Sequence, residues 1–292
     1  MSNSQIPNSE FIINPDGSIY HLGLKPEELA TTIITVGDPD RVHEVTKHFD
    51  TIEVEKQCRE FKTITGMYRN KRISVLSTGI GTDNIDIVFN ELDALVNIDF
   101  STRKPKERLT SLDIIRIGTS GAIQKDIPVD ALLISEKALG FDGLLHFYDK
   151  TDFLDRSFSE VFMKQVMWSP HKSSPYVVAA DEFLLDRFND DEFITGITAT
   201  NIGFYGPQGR VLRLPIQDSR LNDKLERFKY GEQRITNLEM ETSGIYGMSK
   251  LLGHRAISLN AILANRALGT FSKHPEKTIE RLIKKSLDII AL

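Results

Sequence analysis

The sequence has little of what marks a secreted, membrane or nucleic-acid-binding protein. A single cysteine, Cys58, excludes an internal disulfide. No apolar run approaches the ~18–20 residues of a membrane span, and the start MSNSQIPNSE has neither the charged nor the apolar region of a secretory signal. Lysine and arginine form no basic block and the formal net charge is −5, which argues against nucleic acid or an anionic membrane as a partner. We therefore expect a cytoplasmic protein whose partners are small molecules.

Motifs for resident cofactors and metals are also missing. STGIG at residues 77–81 lacks the GxGxxG spacing of a dinucleotide loop, and the phosphate-loop pattern GxxxxGK[ST] does not occur. The seven histidines form no HExxH motif, and one cysteine allows no CxxC pair. No histidine is identifiable from sequence as a base for Cys58, which we interpret as structural. We expect no resident cofactor and no metal site.

The sequence does contain an alternation of strand and helix patterns over 292 residues, of which 40% are hydrophobic, enough for a large core. Residues 61–68 and 71–76 predict a hairpin around Arg69-Asn70, residues 85–96 predict a helix, and the polar stretch 97–111 predicts an exposed inserted loop. Apolar runs end in glycine-rich or acidic turns at residues 31–41, 71–84, 112–121 and 235–241. This order predicts one α/β domain over residues 1–292, a three-layer sandwich whose central mixed, partly barrel-like sheet is flanked by helices.

Residues 112–124, LDIIRIGTSGAIQ, form the most informative segment. Its apolar run predicts a strand covered on both faces, so the charge of Arg116 needs an anionic partner. The GTSG that follows predicts a turn whose amides and hydroxyls, Thr119 among them, hold an oxyanion. A strand with one salt-bridged arginine is the structural alternative.

Two further segments bring charge to the same edge of the predicted sheet. GDPDR at residues 37–41 sets amides at a helix N-terminus beside Arg41, which indicates an anion pocket or only a capped helix start. Glu239, Met240 and Glu241 end the strand ITNLEM, so the two carboxylates are expected to face alternate ways, one toward a ligand. A carboxylate accepts hydrogen bonds from two adjacent sugar hydroxyls, whereas a helix start with favourable acids is the alternative.

The segment FYGPQGR at residues 204–210 combines groups suited to a planar polar ligand. The amide of Gln208 donates and accepts toward the edge of a base, Arg210 donates to a carbonyl, and Phe204 stacks on a ring. An ordinary turn with exposed polar residues is the alternative.

Together and in this order, the segments resemble the nucleoside phosphorylase-I family over nearly the whole chain. The motifs that carry the resemblance are HLGL at 21–24, GDPDR at 37–41, REF at 59–61, STGIG at 77–81, RIGTSGAIQ at 116–124 and EME at 239–241. The 204–210 segment makes the resemblance closest to the uridine phosphorylases. Asn265-Arg266 stands where the purine enzymes of the family carry a Ser-Asp pair, which favours a pyrimidine substrate.

The resemblance implies reversible phosphorolysis of uridine to uracil and ribose 1-phosphate, with phosphate as a co-substrate. It implies that phosphate is bound by Gly37, Arg41, Arg59, Arg116 and Thr119, ribose by His21, Thr119, Met240 and Glu241, and the base by Phe204, Gln208, Arg210 and Arg266. Catalysis is expected from Arg116, Glu241, Gln208 and Arg210. Arg59 and His21 are expected from a neighbouring subunit, which implies a homodimer or a larger homo-oligomer.

Several alternatives stay open at this point. A purine nucleoside phosphorylase, a nucleosidase that uses water and a non-enzymatic nucleoside-binding protein all share parts of the residue inventory. The 97–111 insertion is longer than in compact bacterial members, which leaves dimer or hexamer undecided. Asn84 stands where some relatives use a serine at a monovalent-cation site between subunits, so such a cation is not excluded.

Overall fold

A computed structural model describes residues 5–292. Its strands are β1 (Thr32–Val36), β2 (Thr51–Cys58), β3 (Phe61–Tyr68), β4 (Lys71–Ser77), β5 (Ile98–Asp99), β6 (Lys104–Pro105), β7 (Asp113–Ala122), β8 (Leu132–Gly140), β9 (Tyr176–Ala179), β10 (Phe193–Thr200), β11 (Ile235–Glu239), β12 (Arg255–Asn265) and β13 (Thr270–Phe271). Its helices are α1 (Pro39–Thr46), α2 (Thr82–Asn97), α3 (Arg156–Val166), α4 (Glu182–Phe188), α5 (Leu221–Arg227), α6 (Thr242–Leu252) and α7 (Pro275–Ala291).

A mixed sheet of 11 strands organises the described residues. β12 pairs with both β7 and β8, and β10 and β11 connect those two strands on the other side, so this part of the sheet closes on itself. From β7 the sheet continues as an open wing in the order β1, β4, β3, β2. The predicted α/β sandwich with a mixed, partly barrel-like sheet is confirmed. The single domain over residues 1–292 stays a prediction, and residues 1–4 lie outside the described part.

Helices cover both faces of the sheet because its central strands are apolar on both faces. In β1, Ile33 packs in the cluster that contains α2 and α6, whereas Ile34 packs on the opposite face with α1 and α7. Ile114 and Ile115 of β7 repeat this division. Since side chains alternate along a strand, Arg116 shares its face with Ile114 and lies toward the N-terminus of α6.

The hairpin, helix and first strand predicted from sequence are confirmed within a few residues. β3 and β4 pair antiparallel around Arg69 and Asn70, whose φ angles of 44° and 65° are those of a tight hairpin turn. α2 includes the whole predicted helix and begins three residues earlier. Across residues 5–292, no helix combines the length and the apolarity that crossing a membrane requires.

Two local expectations were wrong in detail. GTSG does not form a turn: β7 runs through it to Ala122, because β12 continues to pair with it as far as Asn265. Gly118 gives room to the guanidinium of Arg116, which a side chain there would strike. The 97–111 insertion is more than an exposed loop, since it contains the β5–β6 hairpin and Arg103 donates to the backbone carbonyls of Ile6 and Phe11.

Candidate active site

A cavity of about 740 Å³, here called the strand-end cavity, opens where β1, β4 and β11 end. Most of the residues expected at the site line it. These are Gly37, Arg41, Arg116, Thr119, Phe204, Gln208, Arg210, Met240 and Glu241. Segments more than two hundred residues apart in sequence therefore meet at one edge of the sheet, where ligands of α/β proteins collect.

At the base of this cavity, Arg116 is enclosed by two carboxylates. Its Nη2 lies 2.6 Å from Glu241 Oε2 and 3.1 Å from Glu239 Oε2, and its Nη1 donates to Asn260 Oδ1 at 3.1 Å. Arg116, Glu239 and Glu241 are called the Arg116 cluster below. Both carboxylates thus reach the same guanidinium, and the expectation that they face alternate ways is wrong. The reason is that β11 ends at Glu239, and the chain then turns into α6.

The two carboxylates of the cluster differ in the number of hydrogen-bond acceptor positions that remain free. Glu239 accepts from the hydroxyl of Thr200 at 2.6 Å and from the backbone N–H groups of Glu241 and Thr242 at 2.9 Å, and it forms an ion pair with Arg116. Both N–H donors and the guanidinium meet Oε2, and the Thr200 hydroxyl meets Oε1, so Glu239 is engaged in holding the start of α6 and keeps one free lone pair, on Oε1. Glu241 accepts only from Gly81 N–H at 3.0 Å and from Arg116. One lone pair on each Glu241 oxygen is left for a ligand.

Burial sets the ionisation of the Arg116 cluster. Burial raises the pKa of Glu241, the Arg116 charge opposes that rise, and the Glu239 charge adds to it. Burial also disfavours the charged form of Arg116, but the two carboxylates outweigh it and raise its pKa. In the cluster, Arg116 is therefore positively charged, Glu239 is engaged in structural hydrogen bonds, and Glu241 faces the cavity.

Anion-binding groups stand on the other side of the cavity. Asp38 caps α1 by accepting from Asp40 N–H at 2.9 Å, and Gly37 and Arg41 flank this helix start. Burial lowers the pKa of Arg41, and within residues 5–292 its Nε has no hydrogen-bond partner. The capped-helix interpretation and the anion-pocket interpretation thus describe the same segment. A cation without an ion pair beside a helix N-terminus suits an incoming phosphate.

The turn after β4 supplies a second set of backbone groups. Gly79 and Gly81 have φ angles of +71° and +98°, which side-chain-bearing residues rarely adopt. This conformation lets Gly81 N–H reach Glu241, and Asn84 lines the cavity at the start of α2. STGIG is thereby part of the site through its backbone rather than as a dinucleotide loop.

The loop formed by residues 202–210 contributes Phe204, Gln208 and Arg210 to the cavity lining. Arg210 Nη1 donates to Gln208 Oε1 at 2.5 Å and to the carbonyl of Phe204 at 2.7 Å, and its guanidinium lies 3.7 Å from the centre of the Phe204 ring. Gln208 is only 3% exposed, whereas Phe204 is 50% exposed. Burial and the neighbouring charge of Arg266 lower the pKa of Arg210 to about 10, so it remains a cation at neutral pH.

Arg266 is not part of the cavity lining, but it lies close enough to Arg210 to lower the pKa of that residue. Its Cγ would be 3.5 Å from a side chain at Gly121, and its Nη1 is buried without a partner among the described residues. Burial lowers its pKa. Asn265 beside it is fully committed to structure, since its amide donates to the carbonyls of Gln124 and Ile127 at 2.8 Å and accepts from Leu268 N–H.

Arg59 and His21 lie outside the strand-end cavity of their own chain. Arg59 is exposed, and its guanidinium lies 5.9 Å from the ring centre of Tyr20. His21 Nδ1 is 2.6 Å from Glu91 Oε1. The two residues share one surface next to Phe61, whose ring centre is 6.4 Å from that of His21. They stay predicted contributors to a neighbouring subunit.

Sequence reasoning missed one residue of the cavity lining and two residues that hold the glutamates. Glu60 lines the cavity and follows Arg59 directly, whereas Thr200 and Gly81 act through hydrogen bonds to the two glutamates. The positive-φ glycine in STGIG was a usable signal, but nothing in the sequence marks Thr200. In the part of the chain that the structure describes, no group of three or more His, Cys, Asp or Glu residues is arranged to hold a metal ion.

Comparison with known protein families identifies the superfamily of this chain. The model of a family described as the phosphorylase superfamily matches residues 31–291. The chain belongs to the phosphorylase superfamily. The resemblance drawn from the sequence motifs is confirmed.

Similar members of the phosphorylase superfamily include enzymes for both kinds of base. The uridine phosphorylase of Thermococcus kodakarensis is 29% identical over 276 residues, covering 94% of this chain and 88% of its own. A purine nucleoside phosphorylase of a Thermoanaerobacter species is 24% identical over 273 residues, covering 92% and 98%. The crystal structure of a Trypanosoma brucei nucleoside phosphorylase, described as showing uridine phosphorylase activity, matches with a TM-score of 0.86 and 26% identity, covering 96% and 98%. A pentosyl-transfer reaction of the nucleoside phosphorylase type is supported.

Proposed function

We propose that the protein catalyses the reversible phosphorolysis of uridine to uracil and ribose 1-phosphate. The observation that carries the proposal is the single cavity in which unpaired arginine, a carboxylate with free lone pairs and the Gln208–Arg210 pair stand together. Each of these groups matches one part of the reaction: the phosphate, the ribose and the base. Phosphate is a co-substrate here, and the proposal includes no resident cofactor.

The phosphate and the ribose meet at the Arg116 cluster. Phosphate binds at the N-terminus of α1, where Gly37 and Arg41 line the cavity together with Thr119. Glu241 accepts hydrogen bonds from the two ribose hydroxyls with its free lone pairs, and Met240 packs against the sugar. As the C1′–N bond breaks, positive charge develops at C1′, and the nearby carboxylate of Glu241 stabilises it. The rest of the rate acceleration comes from holding phosphate beneath C1′ in the orientation that the reaction requires.

The base side of the cavity favours a leaving group with carbonyl oxygens. Because Gln208 Oε1 accepts from Arg210, its Nε2 is left to donate, and Arg210 adds further N–H donors. Uracil has two carbonyl oxygens that take the electron pair of the broken bond, and these donors stabilise that charge. A purine leaves more readily when an acid protonates its ring nitrogen. By the family resemblance, Asn265-Arg266 stands in place of the Ser-Asp pair of the purine enzymes: Asn265 is an amide held by structural hydrogen bonds, and Arg266 replaces the aspartate that would supply the proton.

The test is a substrate panel with the wild-type protein, measured with and without inorganic phosphate while base release is followed. Uracil is expected from uridine only when phosphate is present, with 2′-deoxyuridine and thymidine as poorer substrates. Equal uracil release without phosphate would indicate hydrolysis and refute phosphorolysis. Faster release from inosine than from uridine at matched concentration would establish the purine alternative. Uridine binding without base release under either condition would leave a nucleoside-binding protein.

We also propose that the working unit is a homodimer or larger homo-oligomer in the cytoplasm, with each site shared between two chains. The support is the position of Arg59 and His21 on an outer surface rather than in their own chain's cavity. Arg59→Ala and Glu241→Ala homomers are expected to be nearly inactive. A mixed dimer carries one intact site, so random co-assembly restores about a quarter of the wild-type activity. Inactive heterodimers, isolated with two affinity tags, would show that Arg59 serves its own chain.

A further inference from the structure

A second cavity, here called the loop cavity, lies on the other side of the 202–210 loop and has a volume of about 830 Å³. Tyr205 and Pro207 face it, whereas Phe204 and Gln208 of the same loop face the strand-end cavity. Arg210 lines both. The proposed phosphorolysis uses none of the residues that line only the loop cavity.

The walls of the loop cavity are aromatic and aliphatic. The rings of Phe141 and Trp168 stack with their centres 4.6 Å apart and their planes inclined by 30°. Leu212 and Leu214 also line the cavity and are 78% and 65% exposed. Apolar walls with a stacked aromatic pair favour a flat, largely apolar ligand.

Cations outnumber carboxylates in the lining of the loop cavity, where Lys172, Arg210 and Arg213 stand against two aspartates. Lys172 lies 4.7 Å from the ring centre of Trp168, and in the described residues neither Lys172 nor Arg213 has a carboxylate within ion-pair distance. Of these two carboxylates, one is hydrogen-bonded to neutral groups and the other is paired with a cation. Asp142 accepts from Tyr176 and Ser243 hydroxyls, and Asp218 pairs with a lysine of α5 at 2.6 Å. The rim therefore attracts an anion.

One buried polar atom in the lining has no partner. Asn201 is 1% exposed, and its Nδ2 donates to the carbonyls of Ala199 and Glu239 at 3.2 and 3.4 Å. This fixes the orientation of the amide, because the opposite orientation would set oxygen against oxygen. Its Oδ1 is then an acceptor without a hydrogen bond among the described residues. A buried acceptor left unpaired costs about 1–3 kcal/mol, which a ligand N–H or O–H donor would recover.

We propose that the loop cavity is a second ligand site, which takes a small planar aromatic anion that also carries an N–H or O–H donor. The aromatic ring lies against Phe141 and Trp168, the anionic group meets Lys172 at the rim, and the donor reaches Asn201 Oδ1. The site is separate from the proposed phosphate and ribose contacts, and Arg210 is the residue that it shares with the proposed base contacts.

Trp168 is the only tryptophan in the sequence, so its fluorescence reports on this cavity directly. The experiment titrates the full-length protein with 4-hydroxybenzoate and follows the emission of Trp168. Saturable quenching is expected. Benzoate, which lacks the donor, is expected to bind roughly fivefold more weakly, as is neutral 4-hydroxybenzamide, since one net hydrogen bond or exposed charge contact is worth about 1 kcal/mol. Cyclohexanecarboxylate, which lacks the flat ring, is expected not to bind.

Variants locate the probe. Lys172→Gln and Leu214→Asp are expected to weaken 4-hydroxybenzoate binding, the latter because it sets a carboxylate in the wall. Their matched controls, Lys164→Gln and Leu109→Asp, change exposed residues outside the lining and are expected to bind like the wild type. Arg41→Ala is expected to have no effect.

Two results would overturn the proposal. One is an absence of saturable quenching, or equal binding of all four probes. The other is binding that Arg41→Ala abolishes and Leu214→Asp leaves intact, which would put the anion in the strand-end cavity. Because the readout is fluorescence rather than turnover, failure of this proposal and failure of the proposed reaction are distinguishable.

Discussion

The sharpest prediction concerns Glu241→Gln, which removes one negative charge and little volume. The side chain is 8% exposed and lies 2.6 Å from Arg116, so water cannot replace the lost carboxylate. The amide oxygen still accepts from either Gly81 N–H or Arg116, but the amide nitrogen cannot accept from the other. One buried donor is left unpaired, which costs about 1–3 kcal/mol of unfolding free energy. Removing a carboxylate whose ionised form burial disfavours offsets part of this cost.

The effect of Glu241→Gln on turnover is expected to be larger than its effect on stability. A preorganised group that faces developing charge typically contributes ~10²–10³ in rate, so kcat/KM for uridine phosphorolysis should fall by that factor. The assay follows uracil release in saturating phosphate, and urea unfolding measured on the same samples gives the stability. The matched control is Glu60→Gln, an exposed carboxylate on the same cavity, for which we expect kcat/KM to stay within about twofold.

Two results would refute this reasoning. A folded Glu241→Gln protein with unchanged kcat/KM would remove Glu241 from the reaction and leave it only as the residue that precedes α6. An equal loss in Glu60→Gln would mean that general charge in the cavity, rather than the carboxylate beside Arg116, controls the rate.

Three further predictions test the neighbours of Glu241. Glu239→Gln should move the acid limb of the pH profile of kcat/KM to lower pH, because removing the Glu239 charge lowers the raised pKa of Glu241. Glu241 must be ionised to act, so an acid limb that does not move would contradict this prediction. Arg116→Met should lower the unfolding free energy by about 3–5 kcal/mol at neutral pH, because it leaves two buried carboxylates unpaired. This loss of stability should shrink as the pH falls and the carboxylates protonate. Urea unfolding at several pH values measures it, and a loss that does not depend on pH would count against the prediction. Gln208→Leu should raise the KM for uridine about tenfold or more and leave the KM for phosphate unchanged; a parallel rise in both would assign Gln208 a structural role.

The parts of the fold that sequence predicts well are those set by local pattern. The β3–β4 hairpin depends on two adjacent residues that tolerate positive φ, and β1 depends on a short β-branched run. GTSG was assigned incorrectly because glycine and hydroxyl residues usually indicate a turn, whereas Gly118 serves to admit the side chain of Arg116 within a strand. That requirement comes from the residue two positions earlier and from the strands on either side, which local propensity does not contain.

Most residues of the candidate site could be predicted from the sequence, but the hydrogen bonds and ion pairs between them could not. Sequence supplies the charged and amide residues, but it does not show that Glu239 and Glu241 both turn onto Arg116, because that depends on where β11 stops and α6 begins. Thr200, which bonds Glu239, belongs to β10 and carries no signal of its own. The loop cavity was likewise invisible, since it arises only when the chain after Arg210 folds over Trp168.

The distribution of charge around the strand-end cavity follows the charge changes of the proposed reaction. The Arg116 cluster carries one positive and up to two negative charges, and Arg41 lies close enough for its pKa to respond to both Arg116 and Glu241. Phosphate brings negative charge to Arg41, on the side where C1′ becomes positive. On the side of the base, the charge of Arg266 lowers the pKa of Arg210, and among the described residues neither guanidinium has a carboxylate within ion-pair distance. Phosphate bound at Arg41 does not neutralise that second pair, so its positive charge is available when the electron pair of the breaking bond moves onto uracil.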